Sequence, residues 1–378
     1  MKTIAIVAGE SSGDLLGSHL IKSLKSIRPD LKFIGIAGPK MIKEGAVSFF
    51  SMEELSIRGY FEALRKLFRL LKLRKNLLNQ ILDAKPDLFI GVDAPDFNFW
   101  IERQLKKKGV SVIHYVSPSI WAWRKNRLRK IKKSIDHMLT IFPFEKNIYL
   151  KANIQASFVG HPLAEMIPLH SNRKKAQDKL KIIKANKVIA LLPGSRQGEV
   201  RWHAQLLIDS AIEISKSVRD TKFLVPLPTR ETYEIFSKTL FKNTHTELDI
   251  QLLIGHASDA INAADLVIVA SGTATLETAL YKKPMIVIYK MSSISWQILK
   301  RMRYLPYISL PNILLNKFLV PELLQDDATP QNISDKTIEI LKDGAYRKNL
   351  LIQFTKIHHQ LKQNTSDRLN RVILKFIK

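Results

Sequence analysis

Short apolar runs alternate with longer amphipathic stretches along most of the chain, and this alternation limits the possible folds more than any other feature. Ile4–Ala8, Phe33–Ile36, Leu88–Val92, Val110–Val116, His137–Ile141 and Ala156–Val159 read as one series of buried strands. Amphipathic stretches lie between them, the clearest from Tyr60 to Leu82. Joining parallel strands takes a crossover of roughly a dozen residues or more, usually a helix, so the rhythm predicts α/β domains with parallel sheets. It breaks between Ile167 and Asn186, where Pro168, His170, Ser171, Asn172 and several lysines interrupt the pattern. A second series follows: Val188–Leu192, Phe223–Val225, Ile250–Ile254, Leu266–Ala270 and Met285–Ile288. The expectation is two doubly wound, Rossmann-like domains facing a cleft, at residues 1–166 and 167–378. Beyond Thr329 the pattern is helical and carries no motif, and these last helices are free to pack back on the first domain.

Composition narrows the class. A chain of 378 residues is long enough for two cores, and 46% hydrophobic with 25% charged residues fits a globular protein rather than a disordered one. Cysteine is absent, which removes disulfide and thiolate chemistry and suits a reducing cytoplasm. The opening Met1–Ala8 has the look of a signal peptide, but its apolar run is too short and leads into Gly9-Glu10 without a cleavage pattern, so it reads as a first strand. No stretch approaches the ~20 apolar residues needed to span a bilayer.

Lys and Arg total 60 against 34 Asp and Glu, a net charge of +26. That excess points to an anionic partner: nucleic acid, a phospholipid surface or phosphorylated small molecules. The cations gather at Arg58, Arg65, Lys66, Arg69, Lys72, Arg74 and Lys75, and again from Arg124 to Lys133. Neither cluster is interleaved with stacking aromatics in a recognised nucleic-acid module, which disfavours that partner. In the first cluster Phe61, Leu64, Leu67, Phe68 and Leu71 recur at helical spacing. Two readings stand: a basic amphipathic helix lying on an anionic membrane, or a surface helix whose apolar stripe faces the core.

The turns after the predicted strands carry the chemistry. Gly91-Val-Asp-Ala-Pro-Asp-Phe-Asn98 follows a buried strand, and Pro95 holds Ala94 away from helical angles. Asp93 is then held at the sheet's carboxyl edge, where ligands collect, while Asp96 is placed to cap the next helix; the alternative makes both simple turn-formers. Ala8-Gly-Glu-Ser-Ser-Gly-Asp14 precedes a helix whose unpaired N–H groups suit anions or sugar hydroxyls, and it lacks the G-x-G-x-x-G spacing of a dinucleotide site. Leu191-Leu-Pro-Gly-Ser-Arg196 repeats the arrangement, with Arg196 as a forked cation for phosphate or merely a solvated one. In Ala270-Ser-Gly-Thr-Ala-Thr-Leu-Glu277, Ser271 is expected to cap a helix, and Ser271, Gly272 and Thr273 offer donors to a diphosphate. Glu277, one turn on, reads as an acceptor for ribose hydroxyls or as a buried partner of a cation. Trp121 and Trp123 form either a ligand platform or core, and His161 either lines the cleft or fixes the hinge. No His, Asp or Glu cluster has metal-ligand spacing.

Taken in order, these segments, with Phe142-Pro-Phe-Glu145, Phe158-Val-Gly-His-Pro162 and Ser309-Leu-Pro-Asn312, resemble the lipid-A-disaccharide synthases, inverting glycosyltransferases of the GT-B fold. Each motif is weak alone; the ordered set is specific and spans most of the chain. The resemblance implies a reaction of UDP-2,3-diacylglucosamine with 2,3-diacylglucosamine 1-phosphate, giving a β-1′,6-linked disaccharide phosphate and UDP, without metal or cofactor. It puts the general base on Asp93, the diphosphate-binding Arg on Arg196 and the nucleotide-side acid on Glu277. Ser271, Gly272, Thr273 and Asn312 go with the UDP-sugar, and Glu10, Ser11, Ser12 and Asp96 with the acceptor. Phe61, Leu64, Arg65, Phe68 and Arg69 would meet the inner face of the inner membrane, with the protein cytoplasmic and peripheral and a homodimer allowed. Arg58 departs from the family's usual apolar residue there. The rivals are a UDP-sugar epimerase, or a transferase with another lipid acceptor, and Gly91–Asn98 is the segment that separates them.

Overall fold

The computed structural model describes residues 2–55, 63–121, 127–182, 185–242, 248–302 and 304–377. The first sheet is formed by β1 (Thr3–Ala8), β2 (Lys32–Ala37), β3 (Ala46–Ser51), β4 (Leu88–Val92), β5 (Ser111–Tyr115), β6 (His137–Thr140) and β7 (Ala156–Phe158). All of its pairings are parallel, in the order β3-β2-β1-β4-β5-β6-β7. The second sheet holds β8 (Lys187–Leu192), β9 (Thr221–Leu227), β10 (Ile250–Ile254), β11 (Leu266–Ala270), β12 (Met285–Tyr289) and β13 (Glu322–Leu324), in the order β10-β9-β8-β11-β12-β13, again parallel.

The central strands read as unbroken apolar runs because helices cover both faces: every residue of β4 and β11 is buried. The strands absent from the sequence reading, β3 and β13, are edge strands of half-exposed or mixed residues, whose pattern carries little hydrophobic signal. The chain divides into two compact units, Met1–Glu165 with Gln360–Lys378, and Met166–His359. The second unit therefore ends well before the last residue. In the returning segment, helix Thr365–Ile373 buries Leu369 and Ile373 in the first unit. Asn370 there exchanges hydrogen bonds with Ser23, its Oδ1 accepting from the hydroxyl at 3.1 Å and its Nδ2 donating to the carbonyl at 3.2 Å.

Helix Ala63–Asp83 shows where its apolar stripe goes from Leu73 onward: Leu73, Leu77 and Ile81 are buried against the first sheet, and the Arg74 guanidinium lies 4.4 Å from the Trp100 ring centre. Among the described residues no helix is long and apolar enough to cross a membrane.

Candidate functional site

A doubly wound sheet opens a crevice where its strand order reverses, beyond the carboxyl ends of the two central strands. In the first unit those strands are β1 and β4. β1 leads through Gly9-Glu10 into helix Ser11–Ile27, and β4 through Asp93-Ala94 into helix Pro95–Lys107. The two turns are so close that a Cβ on Gly9 would lie 2.7 Å from that of Ala94. Asp93 and Ala94 are both left-handed, with φ of 53° and 44°, a conformation that non-glycine residues adopt only when their surroundings impose it. The constraints are visible: Asp93 N donates to Tyr115 O at 2.9 Å, and Asn98 Nδ2 donates to Asp93 O at 2.8 Å and Val7 O at 3.3 Å.

Ser12 Oγ donates to Asp93 Oδ2 at 3.5 Å. Burial holds the Asp93 carboxyl above the usual aspartate range, and the charge of Glu10 pushes it further. The Ala94 N–H, the His114 imidazole and Ser12 pull it partly back. Glu10 is the N-cap residue of its helix and Ser11 opens that helix. Asp96 does not cap as expected. Pro95 is already the first helical residue and Ala94 the N-cap, so Asp96 falls in the first turn, exposed, accepting from Arg127 Nη2 at 2.6 Å.

Below Asp93 sits a pair that sequence reasoning missed. Glu102 and His114 are both fully buried, with His114 Nδ1 2.6 Å from Glu102 Oε1. Further along the same edge Glu145 is buried, accepting from Trp121 Nε1 at 3.0 Å and Phe142 N at 3.1 Å, and burial pushes its carboxyl up to about 8. Trp121 also packs edge-on against Phe144, which makes it part of a packed polar cluster; Trp123 lies outside the described residues. His161 is buried, its imidazole held by that burial to about 4, and its backbone N–H donates to Leu361 O at 2.9 Å. It ties down the returning segment.

In the second unit the order reverses between β8 and β11. After β8, Gly194 has φ of +115°, and a Cβ there would lie 2.6 Å from that of Glu199, so the turn requires glycine. Glu199 Oε2 accepts from Ser195 N at 2.9 Å and Arg196 N at 3.2 Å, fixing the loop ahead of helix Gln197–Ser217. The Arg196 side chain is 68% exposed, with Nη1 3.8 Å from Glu199 Oε1. Buried His203 braces the loop from behind: its Nδ1–H donates to Pro193 O at 2.7 Å while Nε2 accepts from Lys290 N at 2.9 Å. Both ring nitrogens are thus used by the neutral tautomer, and burial lowers its proton affinity.

After β11, helix Thr273–Leu280 starts from Gly272, with Gly272 and Thr273 exposed. Ser271 is not its cap: its hydroxyl donates to Ile308 O at 3.0 Å, tying this turn to the segment that carries Asn312. Thr275 strengthens the tie by accepting from Leu310 N at 3.2 Å. Glu277 accepts from the Ser258 hydroxyl, and burial raises its carboxyl. Asn312 is placed differently from expectation. It is 0% exposed, its amide nitrogen donates to Val320 O and Glu322 Oε1, and its oxygen accepts from Leu319 N and Val320 N. With both donors and both lone pairs engaged, it braces the loop and presents no polar atom to a ligand.

Phe61 and Arg58 lie outside the described residues. Leu64, Arg65 and Phe68 fall on the first turns of helix Ala63–Asp83, and exposed Arg69 donates to Glu54 Oε2 at 3.3 Å. Among the described residues no group of three or more His, Cys, Asp or Glu is arranged to hold a metal ion.

Residues 4–376 match the family profile described as lipid-A-disaccharide synthetase. The lipid-A-disaccharide synthase of Methylobacillus flagellatus is 53% identical over 378 residues, covering 100% of both chains. That of Haemophilus influenzae is 44% identical over 376 residues, covering 98% of this chain and 96% of its own. Among solved structures, the UDP-GlcNAc 2-epimerase of Neisseria meningitidis bound to UDP-GlcNAc superposes with a TM-score of 0.67 at 14% identity, over 99% of this chain and 100% of that one. MurG of Acinetobacter baumannii gives 0.56 at 14% identity over the same shares. At such identities the structures establish the GT-B fold and nothing about the reaction.

Proposed function

The chain belongs to the lipid-A-disaccharide synthase family, glycosyltransferases of lipid A biosynthesis, and from that premise we propose its chemistry residue by residue. The enzyme transfers 2,3-diacylglucosamine from UDP-2,3-diacylglucosamine to the 6-hydroxyl of 2,3-diacylglucosamine 1-phosphate. Asp93 takes the hydroxyl proton as the oxygen attacks the anomeric carbon from the face opposite UDP. The bond to the UDP oxygen breaks with its electron pair, so the configuration inverts. A positioned base contributes about 10²–10⁴-fold.

One observation carries this assignment: Asp93 sits at the reversal point of its sheet on a left-handed backbone, with its carboxyl raised by burial. A raised carboxyl is a stronger base once ionised, and the strained turn is the kind of feature found at functional sites. Glu10 and Ser12, on the neighbouring turn, hold the acceptor sugar. The second unit takes the nucleotide: the Arg196 guanidinium and the N–H groups at Gly272 and Thr273 meet the diphosphate, and Glu277, oriented by Ser258, accepts the ribose hydroxyls. Asn312 acts one step back by bracing that loop. Charge developing on the departing UDP is met by the guanidinium and the helix end, so the step needs no divalent metal. The start of helix Ala63–Asp83, with Phe61 before it, rests on the anionic inner membrane where both acylated substrates reside.

The test is to incubate the purified protein with the two diacylated substrates in EDTA and to follow UDP and the disaccharide phosphate. Equal amounts of both products, with a β linkage, are expected. Release of UDP without disaccharide, or activity that appears only when Mg²⁺ is restored, would overturn the corresponding part of the reading.

A further inference from the structure

Glu102 and His114 are an unusual pair to find inside a sheet-helix interface. Glu102 comes from helix Pro95–Lys107 and His114 from β5, and each is 0% exposed. Room for them is made by a glycine. Gly91 on β4 stands opposite His114 in the strand register, and a Cβ on Gly91 would lie 2.1 Å from Glu102 Oε1. The same missing Cβ leaves space for Asn98, whose amide nitrogen holds the Asp93 carbonyl at 2.8 Å. The Asp93 N–H is held in turn by Tyr115 O, next in chain to His114. The pair therefore lies directly beneath the turn that carries Asp93, and the Phe99 ring, 4.7 Å from the imidazole, closes one side.

His114 Nδ1 and Glu102 Oε1 meet at 2.6 Å, while Glu102 Oε2, His114 Nε2 and Asn98 Oδ1 are buried with no hydrogen-bond partner. Apolar residues of the same volume would fill such a site without leaving polar atoms unmatched, so packing alone does not account for the pair. It is in electrical contact with Asp93. The ionisable groups acting on that carboxyl are Glu10, from the turn after β1, which pushes it up, and His114, from β5, which pulls it down. On Glu102 the acting group is His114, against the opposing effect of burial.

We propose that His114 and Glu102 are a proton-sharing positioning pair that sets the charge state and orientation of Asp93 from beneath its turn. The proposal rests on Asp93 being the base. When Asp93 is ionised, its negative charge draws the shared proton toward the His114 side of the contact. When Asp93 takes the acceptor's hydroxyl proton its charge falls to zero, and the shared proton shifts along the 2.6 Å contact toward Glu102. No bond to substrate is made by either residue, and the pair's proton count does not change.

Two measurements test this. First, the enzyme labelled with ¹⁵N-histidine is followed by NMR across the pH range in which Asp93 ionises, with the His114 ring assigned from its absence in His114→Gln. The His114 nitrogen shifts should move with Asp93 ionisation in the parent and stay flat through that range in Asp93→Asn. Identical curves in the two proteins would overturn the coupling, whatever the reaction turns out to be. Second, Glu102→Gln should move the acid limb of kcat/KM for the acceptor upward by about one pH unit, leave the donor KM unchanged, and cost no more when combined with His114→Gln. An unmoved acid limb in folded Glu102→Gln, with activity merely lowered, would reduce the pair to a packing element. Should that variant fail to fold, the NMR comparison decides alone. Loss of the base reading itself registers separately, as turnover retained by Asp93→Asn.

Discussion

The two units share a strand order and furnish its reversal point in opposite ways. Beyond β1 and β4 the side chains are acidic: Glu10, exposed, Asp93, half-buried with its raised carboxyl, and Glu102, fully buried below. Beyond β8 and β11 they are a projecting guanidinium and an exposed helix start. The local devices differ too. The first unit forces an aspartate and an alanine into the left-handed region, whereas the second uses Gly194, which enters it without strain. The first arrangement holds a half-buried carboxyl on a constrained backbone; the second sets an exposed guanidinium beside an exposed helix start. One fold thus supplies the position twice, and the residues at the turn give it an acidic character in one unit and a basic one in the other.

The largest effect is expected where the first unit's carboxylate is neutralised. Asp93→Asn should lower kcat by about 10²–10⁴-fold with donor binding retained. Its stability should move the other way. Because the folded-state carboxyl is raised above its unfolded value, the stability linked to its protonated form is complete below the ordinary aspartate range and is lost as pH rises through the raised value. At neutral pH the neutral amide avoids that loss, so thermal unfolding should show Asp93→Asn equal to or more stable than the parent. A clear destabilisation would mean that Asp93 serves structure, and the contrast between units would fail.

Next comes the second unit's cation. Arg196→Ala should raise the donor KM about 10–100-fold, the value of one or two charge-assisted hydrogen bonds, and leave the acceptor KM unchanged. An acceptor effect of similar size would blur the division of labour between units. A third variant probes the enclosed side alone. Gly91→Ala places a methyl group on Glu102 and should cost about 1–3 kcal/mol in chemical denaturation, with activity falling alongside. The smallest change is the control in the open unit: Gly198→Ala, where a Cβ meets nothing within 4 Å on the first turn of helix Gln197–Ser217, should add about 0.5 kcal/mol. If both glycine variants behaved alike, the claimed difference in enclosure would be wrong.

Much of the fold was legible because doubly covered parallel strands must be apolar throughout. Runs such as Leu88–Val92 and Leu266–Ala270 announced themselves, whereas β3 and β13, at sheet edges with one side open, did not. Among the candidate site residues, Asp93 and Arg196 stood out by their place in turns after buried strands, and the structure puts both turns at the reversal points of their sheets. Ser271 was given a ligand role because Ser suits helix caps and donates hydrogen bonds, and Asn312 because the family resemblance places it there, yet tertiary contacts use both to tie loops together. For Glu102 a faint signal existed. It stands one turn after Asn98 on the helix that follows Gly91, and a carboxylate on that inward face needs a partner.

What the amino-acid order settled unaided was the set of buried strands, the crossovers between them and the turns exposed at their carboxyl ends, since each depends on neighbours a few residues apart. What folding in three dimensions alone decided was the company those turns keep. It set β1 beside β4 and β8 beside β11, brought residues 360–377 back to the first unit, and put His114 on Glu102. Those partners are distant in sequence, and only the sheet's crossovers bring them within the few ångströms over which a hydrogen bond or a shared proton acts.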